Sequence, residues 1–396
     1  MNPLDNPFAP GAGSPPPELA GRAELLGSIH VAAERTRRLL AARSVLLLGL
    51  RGVGKTVLLD RVHDQAQADG LATIMIEATE RSPLPALLAA ELHRVLLRLS
   101  RQQRVRDLGS RAMRVLAGFV SALNLKYGGI ELGIDAPGEP GVADSGDLEL
   151  DLAALFEAVG AAASASDTAL IMLVDEFQYV PKVELAALIS ALHRAAQRRL
   201  PIFLAAAGLP QLRARVAEAK TYAERLFEFR EIGPLDEGAT TDAVAKPIRA
   251  RDIDIVPDAL RMIFSETQGY PYFLQEWGKH AWDVAERSPI DTGDIARASD
   301  EVSASLDAGF FRARFDRLTT AQKRYLRAMA ELGPGPHRSG EIARNLDRKV
   351  TSLGPTRAQL IAKGMVWSAA RGDTAFTVPL FDRFMRRIMP GPEWRE

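Results

Sequence analysis

Val45-Leu46-Leu47-Leu48-Gly49-Leu50-Arg51-Gly52-Val53-Gly54-Lys55-Thr56 is the stretch on which the reading of this chain turns. Val45 to Leu48 is an unbroken apolar run, the pattern of a parallel strand buried on both faces. Gly49 to Thr56 fits G-x-x-x-x-G-K-[ST] in full. A helical stretch, Val57 to Ala68, follows directly. Strand, glycine loop and helix in that order are the context the motif requires.

The residue types explain one another. A triphosphate carries dense negative charge and many acceptor oxygens. Glycines let the backbone curl so that successive N–H groups point inward, and the helix N-terminus adds its positive dipole end. Lys55 then reaches the β- and γ-phosphates, and the Thr56 hydroxyl binds Mg²⁺. Gly49, Leu50, Arg51, Gly52, Val53, Gly54, Lys55, Thr56 and Val57 are therefore the candidate ATP site.

Outside the loop, composition sets limits. A chain of 396 residues is expected to hold two or three domains. Apolar content of 47% and charged content of 25% are ordinary for a soluble globular protein, and a formal net charge of zero does not by itself suggest a nucleic-acid binder. The absence of cysteine excludes disulfides, thiol catalysis and cysteine metal sites, and fits a reducing cytoplasm. The N-terminus lacks the pattern of a signal peptide, and no apolar run approaches the length of a membrane span.

Taken in order, residues 1–17 are proline-dense and read as a disordered or loosely docked arm. A helical pattern runs from Ala23 to Ala42, a second strand from Leu71 to Ala78, and a strongly helical region over about 84–123. In that region Arg94, Arg98, Arg101, Arg104, Arg111 and Arg114 make either a solvated helix face or a contact surface for nucleic acid or a neighbouring subunit. Lys126 to Asp135, with Gly128-Gly129, suggests a short hairpin, and residues 136–147 a loop. No Lys or Arg occurs from 127 through 181. A further buried strand, Ala169 to Val174, a helix over about 182–198 and a strand Ile202–Ala207 complete an alternation that points to a parallel α/β sheet.

Ala169–Val174 ends in Asp175-Glu176, about 120 residues beyond the glycine loop. This has the form of a Walker B segment. The strand end puts Asp175 near the loop mouth, where a carboxylate can hold, through water, the Mg²⁺ that Thr56 also binds. Glu176 then stands where it can polarise an attacking water, a contribution on the order of 10²–10⁴ in rate.

This set resembles the AAA+ class of P-loop ATPases, especially the bacterial and archaeal branch near the origin-recognition ATPases, over about residues 18–390. The resemblance implies a P-loop parallel-sheet ATPase core over 18–235, a helical lid over 236–309 and a C-terminal winged helix-turn-helix domain over 310–396. Gly21 and Arg22 resemble the Gly-Arg element whose backbone borders the adenine; read alone, they are a helix-start turn. Arg225, in Tyr222-Ala223-Glu224-Arg225-Leu226-Phe227, resembles the arginine finger, which acts in trans and is worth up to roughly 10³–10⁵ in comparable NTPases; read alone, it is a surface arginine. A finger implies a homo-oligomer when ATP is bound. Pro271, in Gly269-Tyr270-Pro271, resembles the lid proline that packs near the base; read alone, it starts a helix.

The pattern also departs from the class. Ala205-Ala206-Ala207 offers no polar side chain at the sensor 1 position, where Gln211 is the nearest polar residue, and no arginine follows Pro271 in the sensor 2 position. Both departures imply slow hydrolysis, or a nucleotide-binding switch with little hydrolysis.

Beyond residue 310, Thr319–Leu332, a short helix opening at Ser339 and Lys349–Lys363 read as three helices, and Gly364–Trp367 with Thr374–Val378 as a strand pair. These resemble a winged helix-turn-helix. Residues 310–396 hold 17 Lys or Arg against 8 Asp or Glu, a basic segment inside a neutral chain. Arg348, Lys349, Arg357 and Lys363 on or beside the third helix, with Arg371 in the wing, are the nucleic-acid candidates. The same domain can instead grip a client protein, as in signalling or scaffold ATPases.

Overall fold

The computed structural model describes residues 1–11, 13–100, 106–127, 137–368, 370 and 372–395. They fall into two compact units, one of Arg22–Gly49 with Lys55–Ile232, the other of Met1–Gly21, Leu50–Gly54 and Gly233–Glu396.

The first unit is a three-layer α/β core. In chain order it contains α1 (Ala23–Arg37), β1 (Ser44–Gly49), α2 (Lys55–Ala68), β2 (Ala72–Glu77), α3 (Leu84–Leu99), α4 (Arg106–Tyr127), α5 (Leu148–Ala165), β3 (Leu170–Asp175), α6 (Lys182–Gln197), β4 (Ile202–Gly208), α7 (Leu212–Ala219), α8 (Ala223–Leu226) and β5 (Phe227–Ile232). The five strands are all parallel, in the order β2-β3-β4-β1-β5. Strands β1, β3 and β4 are buried along their whole length, which is why they read as continuous apolar runs. Leu46, Leu48, Met172, Val174, Leu204 and Ala206 join one cluster with α3, α5 and α6. The alternate side chains of these strands point to the opposite face.

The sequence expectations hold for β1 to β4, whose limits shift by a residue or two. The helical region over 84–123 is two helices, α3 and α4, packed on each other. Lys126 and Tyr127 end α4, so they do not begin a hairpin; Gly128 to Asp135 lie outside the described residues. Among the described residues, three arginines of this face are paired with acids. Arg94 pairs with Glu91, and Arg111 and Arg114 with Glu139, which reaches back from the acidic stretch. Arg98 is exposed, and Arg101 and Arg104 lie outside the described residues. The solvated-face reading fits these pairs.

The second unit begins with the N-terminal segment. Although proline-dense, it is docked. Phe8 is buried against Gly278, Asn6 donates to the Lys279 carbonyl and to Asp283, and Trp282 donates to the Asn2 carbonyl. One buried aromatic ring supplies apolar contact that proline density does not reveal. Four helices follow: α9 (Glu237–Arg249), α10 (Pro257–Thr267), α11 (Pro271–Val284) and α12 (Thr292–Leu306). Pro271 occupies the first turn of α11, and an Asp291/Asp294 capping box starts α12. A π-turn, Asp307–Phe311, leads into α13 (Arg312–Phe315).

The remainder is α14 (Thr320–Glu331), β6 (His337–Arg338), α15 (Ser339–Asn345), α16 (Val350–Ala362), β7 (Val366–Trp367), β8 (Asp373–Phe376) and α17 (Phe381–Ile388). The small sheet is antiparallel in the order β6-β8-β7. Sequence reading had found the three helices and the β7–β8 pair, but not β6 or α17. Phe311, Phe315, Phe381 and Phe384 knit the π-turn and α13 to α17.

Candidate functional site

The loop after β1 contains two residues at positive φ, Gly52 at 82° and Gly54 at 90°. L side chains rarely adopt these values, so the loop's curl requires glycine there. Lys55 opens α2 and is only 7% exposed.

At the ends of adjacent elements, Thr56 donates its hydroxyl proton to Asp175 Oδ2 at 2.5 Å. The Glu176 N–H donates to Asp175 Oδ1 at 2.7 Å. The Thr56–Asp175 pair, 119 residues apart in sequence, is what the motif and the strand-end acid predicted separately. Two hard oxygen donors in contact fit Mg²⁺, which prefers a few carboxylate or hydroxyl ligands and keeps several waters. Asp60, one turn beyond Thr56, adds a second carboxyl beside Asp175. Burial, then the charge of Asp175, raises its pKa above the usual carboxylate range. A divalent cation beside this pair of acids would relieve their repulsion.

Glu176 sits in the left-handed region at φ 50°, ψ 35°. For a non-glycine residue this costs on the order of 1–3 kcal/mol and persists only where neighbours hold it. A single 3₁₀ turn, Phe177–Tyr179, does so: Phe177 is fully buried and the Tyr179 N–H donates to the Glu176 carbonyl.

The carboxylate of Glu176 is gripped as well. Gln178, 3% exposed, donates its amide to Glu176 Oε2 and accepts the Leu209 N–H at 3.0 Å. Sequence reading missed this residue. It had looked for a polar group on β4 and found only Ala205-Ala206-Ala207, all fully buried within the sheet. The polar group arrives from the turn after β3. It also explains Gly208, where a Cβ would stand 2.7 Å from Gln178 Oε1. Gln211, the residue favoured from sequence, makes no side-chain cap on α7, and its Oε1 is buried without a partner among the described residues.

The remaining candidates are distributed as follows. Gly21, at φ 68°, packs by Leu235 and Ala239; Arg22 immediately precedes α1, and burial lowers its pKa. Val57 lies in the first turn of α2. Arg225, on α8, is exposed and forms no ion pair among the described residues. Pro271 brings Tyr272 to the glycine loop, where the Tyr272 N–H donates to the Gly52 carbonyl at 3.2 Å. Arg348 and Lys349 are exposed just before α16, a helix with only Leu360 buried.

Two nucleic-acid candidates are otherwise engaged. Arg357 donates to Thr374 Oγ1, Ser368 Oγ and the Asp373 carbonyl, tying α16 to β8. Lys363 donates to the Arg317 carbonyl and Gln322 Oε1. Arg357 is half-buried and Lys363 exposed, and each also bonds to groups of its own domain. Arg371 lies outside the described residues.

Comparisons with known proteins bear on the fold. Residues 18–205 match the AAA ATPase domain family, and residues 308–385 a domain family of unknown function, DUF8462. No curated protein matches the sequence significantly. The fold is similar to the Walker-type ATPase PABY2304 of Pyrococcus abyssi, with 17% identity, a TM-score of 0.57, and 93% of this chain and 96% of that chain covered. Weaker likenesses are to the Thermotoga maritima RuvB Holliday junction branch migration motor, with 14% identity, a TM-score of 0.46 and 90% and 92% covered. Aeropyrum pernix Orc1, solved in complex with DNA, shares 16% identity with a TM-score of 0.45 and 94% of each chain covered.

Proposed function

We propose that this chain, whose residues 18–205 match the AAA ATPase domain family, binds ATP with Mg²⁺, hydrolyses it, and couples the nucleotide state to DNA association. The observation that supports this best is the Thr56–Asp175 contact, with Glu176 held beside it. Gly49 to Thr56 would wrap the phosphates with backbone N–H groups, and Lys55 would neutralise their terminal charge. Thr56 and Asp175 would hold the metal, which lends positive charge to the phosphate oxygens. Glu176 takes the proton of the attacking water, and Gln178 sets the direction of its carboxylate. No helix among the described residues is long and apolar enough to cross a membrane.

An exposed Arg225 without an ion pair supports a finger acting on a neighbouring copy in an ATP-bound oligomer. Arg225→Ala protein is expected to bind ATP normally but hydrolyse it slowly. Mixing it with Lys55→Ala protein should restore turnover, because one subunit offers an intact site and the other the arginine. Mixed oligomers without any recovery would count against action in trans.

For the C-terminal segment, the order helix, strand, helix, helix, strand, strand supports a winged helix-turn-helix, and its excess of positive charge supports DNA as its partner. Arg348 and Lys349 are exposed candidates for phosphate contact. Replacing both by Ala should lower the slope of log affinity against log salt by roughly two units in fluorescence-anisotropy titrations. The internal bonds of Arg357 and Lys363 favour a second reading, in which the domain grips a client protein. Wild-type protein without DNA affinity at low salt, with or without ATP, would leave the client reading in its place.

A further inference from the structure

Arg225 stands on α8, a helix of four residues, too short to hold its own direction. What holds it is a polar cluster, wholly inside the first unit, that the ATP site does not use. Glu149, in the first turn of α5, accepts two hydrogen bonds from Lys220 Nζ, at 2.9 Å on Oε1 and 2.8 Å on Oε2. Ser190, on α6, donates its hydroxyl proton to Glu149 Oε1 at 2.7 Å. That proton is then committed, so the Tyr222 hydroxyl, 3.1 Å from Ser190 Oγ, is the donor there. The Tyr222 ring also lies against His193, with ring centres 4.7 Å apart. The hydrogen bonds from Lys220, then from Ser190, hold the Glu149 carboxyl below its usual range, which keeps it ionised as the acceptor of both.

Both anchored residues adjoin Arg225. Lys220 ends α7 and Tyr222 begins α8. The Ala223 N–H donates to the Lys220 carbonyl and the Arg225 N–H to the Tyr222 carbonyl, each at 3.1 Å. Ala223 is fully buried, whereas Arg225 is exposed and forms no ion pair among the described residues. A carboxylate on α5 thus fixes, through two side chains, the backbone that carries the arginine. Stability is a poor account of this cluster. The Glu149 and Lys220 side chains are 45% and 25% exposed, and ion pairs so open to water contribute little to folding. What such a pair does fix is direction. For an arginine that must meet a phosphate, a displacement of about 1 Å can cost on the order of 10²-fold in rate.

We propose that Glu149 is a positioning residue for Arg225: by gripping Lys220 and, through Ser190, Tyr222, it aims the arginine at the nucleotide of a neighbouring copy. This rests on the reading of Arg225 as a finger acting in trans. Loss of Glu149 therefore disables a subunit as donor of the arginine and leaves it competent as receiver.

The test measures ATP turnover of Glu149→Ala protein, alone and in mixed oligomers, with ATP affinity from calorimetry and folding from thermal melting. Alone, it is expected to turn over roughly tenfold or more slowly than wild type at saturating ATP, with affinity and melting temperature unchanged. Mixed with Lys55→Ala protein it should regain turnover, because its intact site then receives a well-held Arg225. The converse mixture separates positioning from damage. Arg225→Ala protein should be rescued by Lys55→Ala protein but not by the Lys55→Ala, Glu149→Ala double variant, whose arginine is loose; a merely structural defect would spoil both roles alike. Lys220→Met breaks the same pair from the other end and replaces Glu149→Ala in every arm if that variant melts early. Rescue by the double variant equal to that by Lys55→Ala, a Glu149→Ala subunit that Lys55→Ala protein cannot rescue, or wild-type turnover in both Glu149→Ala and Lys220→Met would overturn the proposal and leave the finger reading standing. No rescue of Arg225→Ala by Lys55→Ala, or no turnover by wild-type protein, would overturn both.

Discussion

Lys55→Ala protein is expected to bind ATP on the order of a hundredfold more weakly than wild type, the effect of removing a charge-assisted contact in a dry site. The backbone of the loop offers only partial charges, and Lys55 is the one full positive charge within the motif that the fold buries, at 7% exposure. Calorimetry with Mg²⁺-ATP measures it directly. Truncating a buried lysine to alanine also removes packing, so Lys55→Met serves as a shape-preserving control. Affinity unchanged in both would mean that the loop does not hold phosphate.

Glu176→Gln protein should retain ATP binding and lose turnover by roughly 10²–10⁴, since the amide keeps the shape but takes no proton. The structure sharpens this expectation. Glu176 is held by its left-handed backbone, by the buried turn behind it and by the Gln178 amide. Gln178→Ala should therefore lower kcat while leaving ATP affinity close to wild type, because it frees the carboxylate without touching the phosphates. It also strips the Leu209 N–H of its acceptor, which lowers the melting temperature modestly. Phosphate release under saturating ATP reads the first effect, and a melting curve the second. Full turnover in Glu176→Gln would remove it from the role of base; full turnover in Gln178→Ala would reduce the amide to a structural clip.

Local pattern made much of this molecule legible. The strand, the glycine loop and the helix of 45–68 depend on neighbouring residues only, and the apolar runs of β1, β3 and β4 announce burial on both faces. The pairing of Thr56 with Asp175 was expected from two separate motifs, and the parallel sheet juxtaposes them. Strand β5 was not anticipated. Phe227-Glu228-Phe229-Arg230-Glu231-Ile232 alternates charge with apolar residues because it is an edge strand, beside β1 alone. The alternation is short, is broken at Arg230-Glu231 and follows directly on a short helix, so the strand signal is weak.

By itself, then, the sequence determined that a phosphate-binding loop is present, that a parallel sheet carries it, and that an acidic pair stands at a strand end within reach of it. These follow from residue type and short-range spacing, where backbone sterics and hydrophobic periodicity act. Only the tertiary structure decided which polar groups serve that site. Gln178 faces Glu176 because a turn after β3 meets the end of β4. Tyr270 and Tyr272 lie against Gly52 because the chain turns there into α11. Arg357, half-buried, and Lys363, exposed, both bond within their own domain. Hydrogen bonds and charge contacts act within a few ångströms of space, and chain separations of tens to hundreds of residues carry no local signal of which side chains will meet.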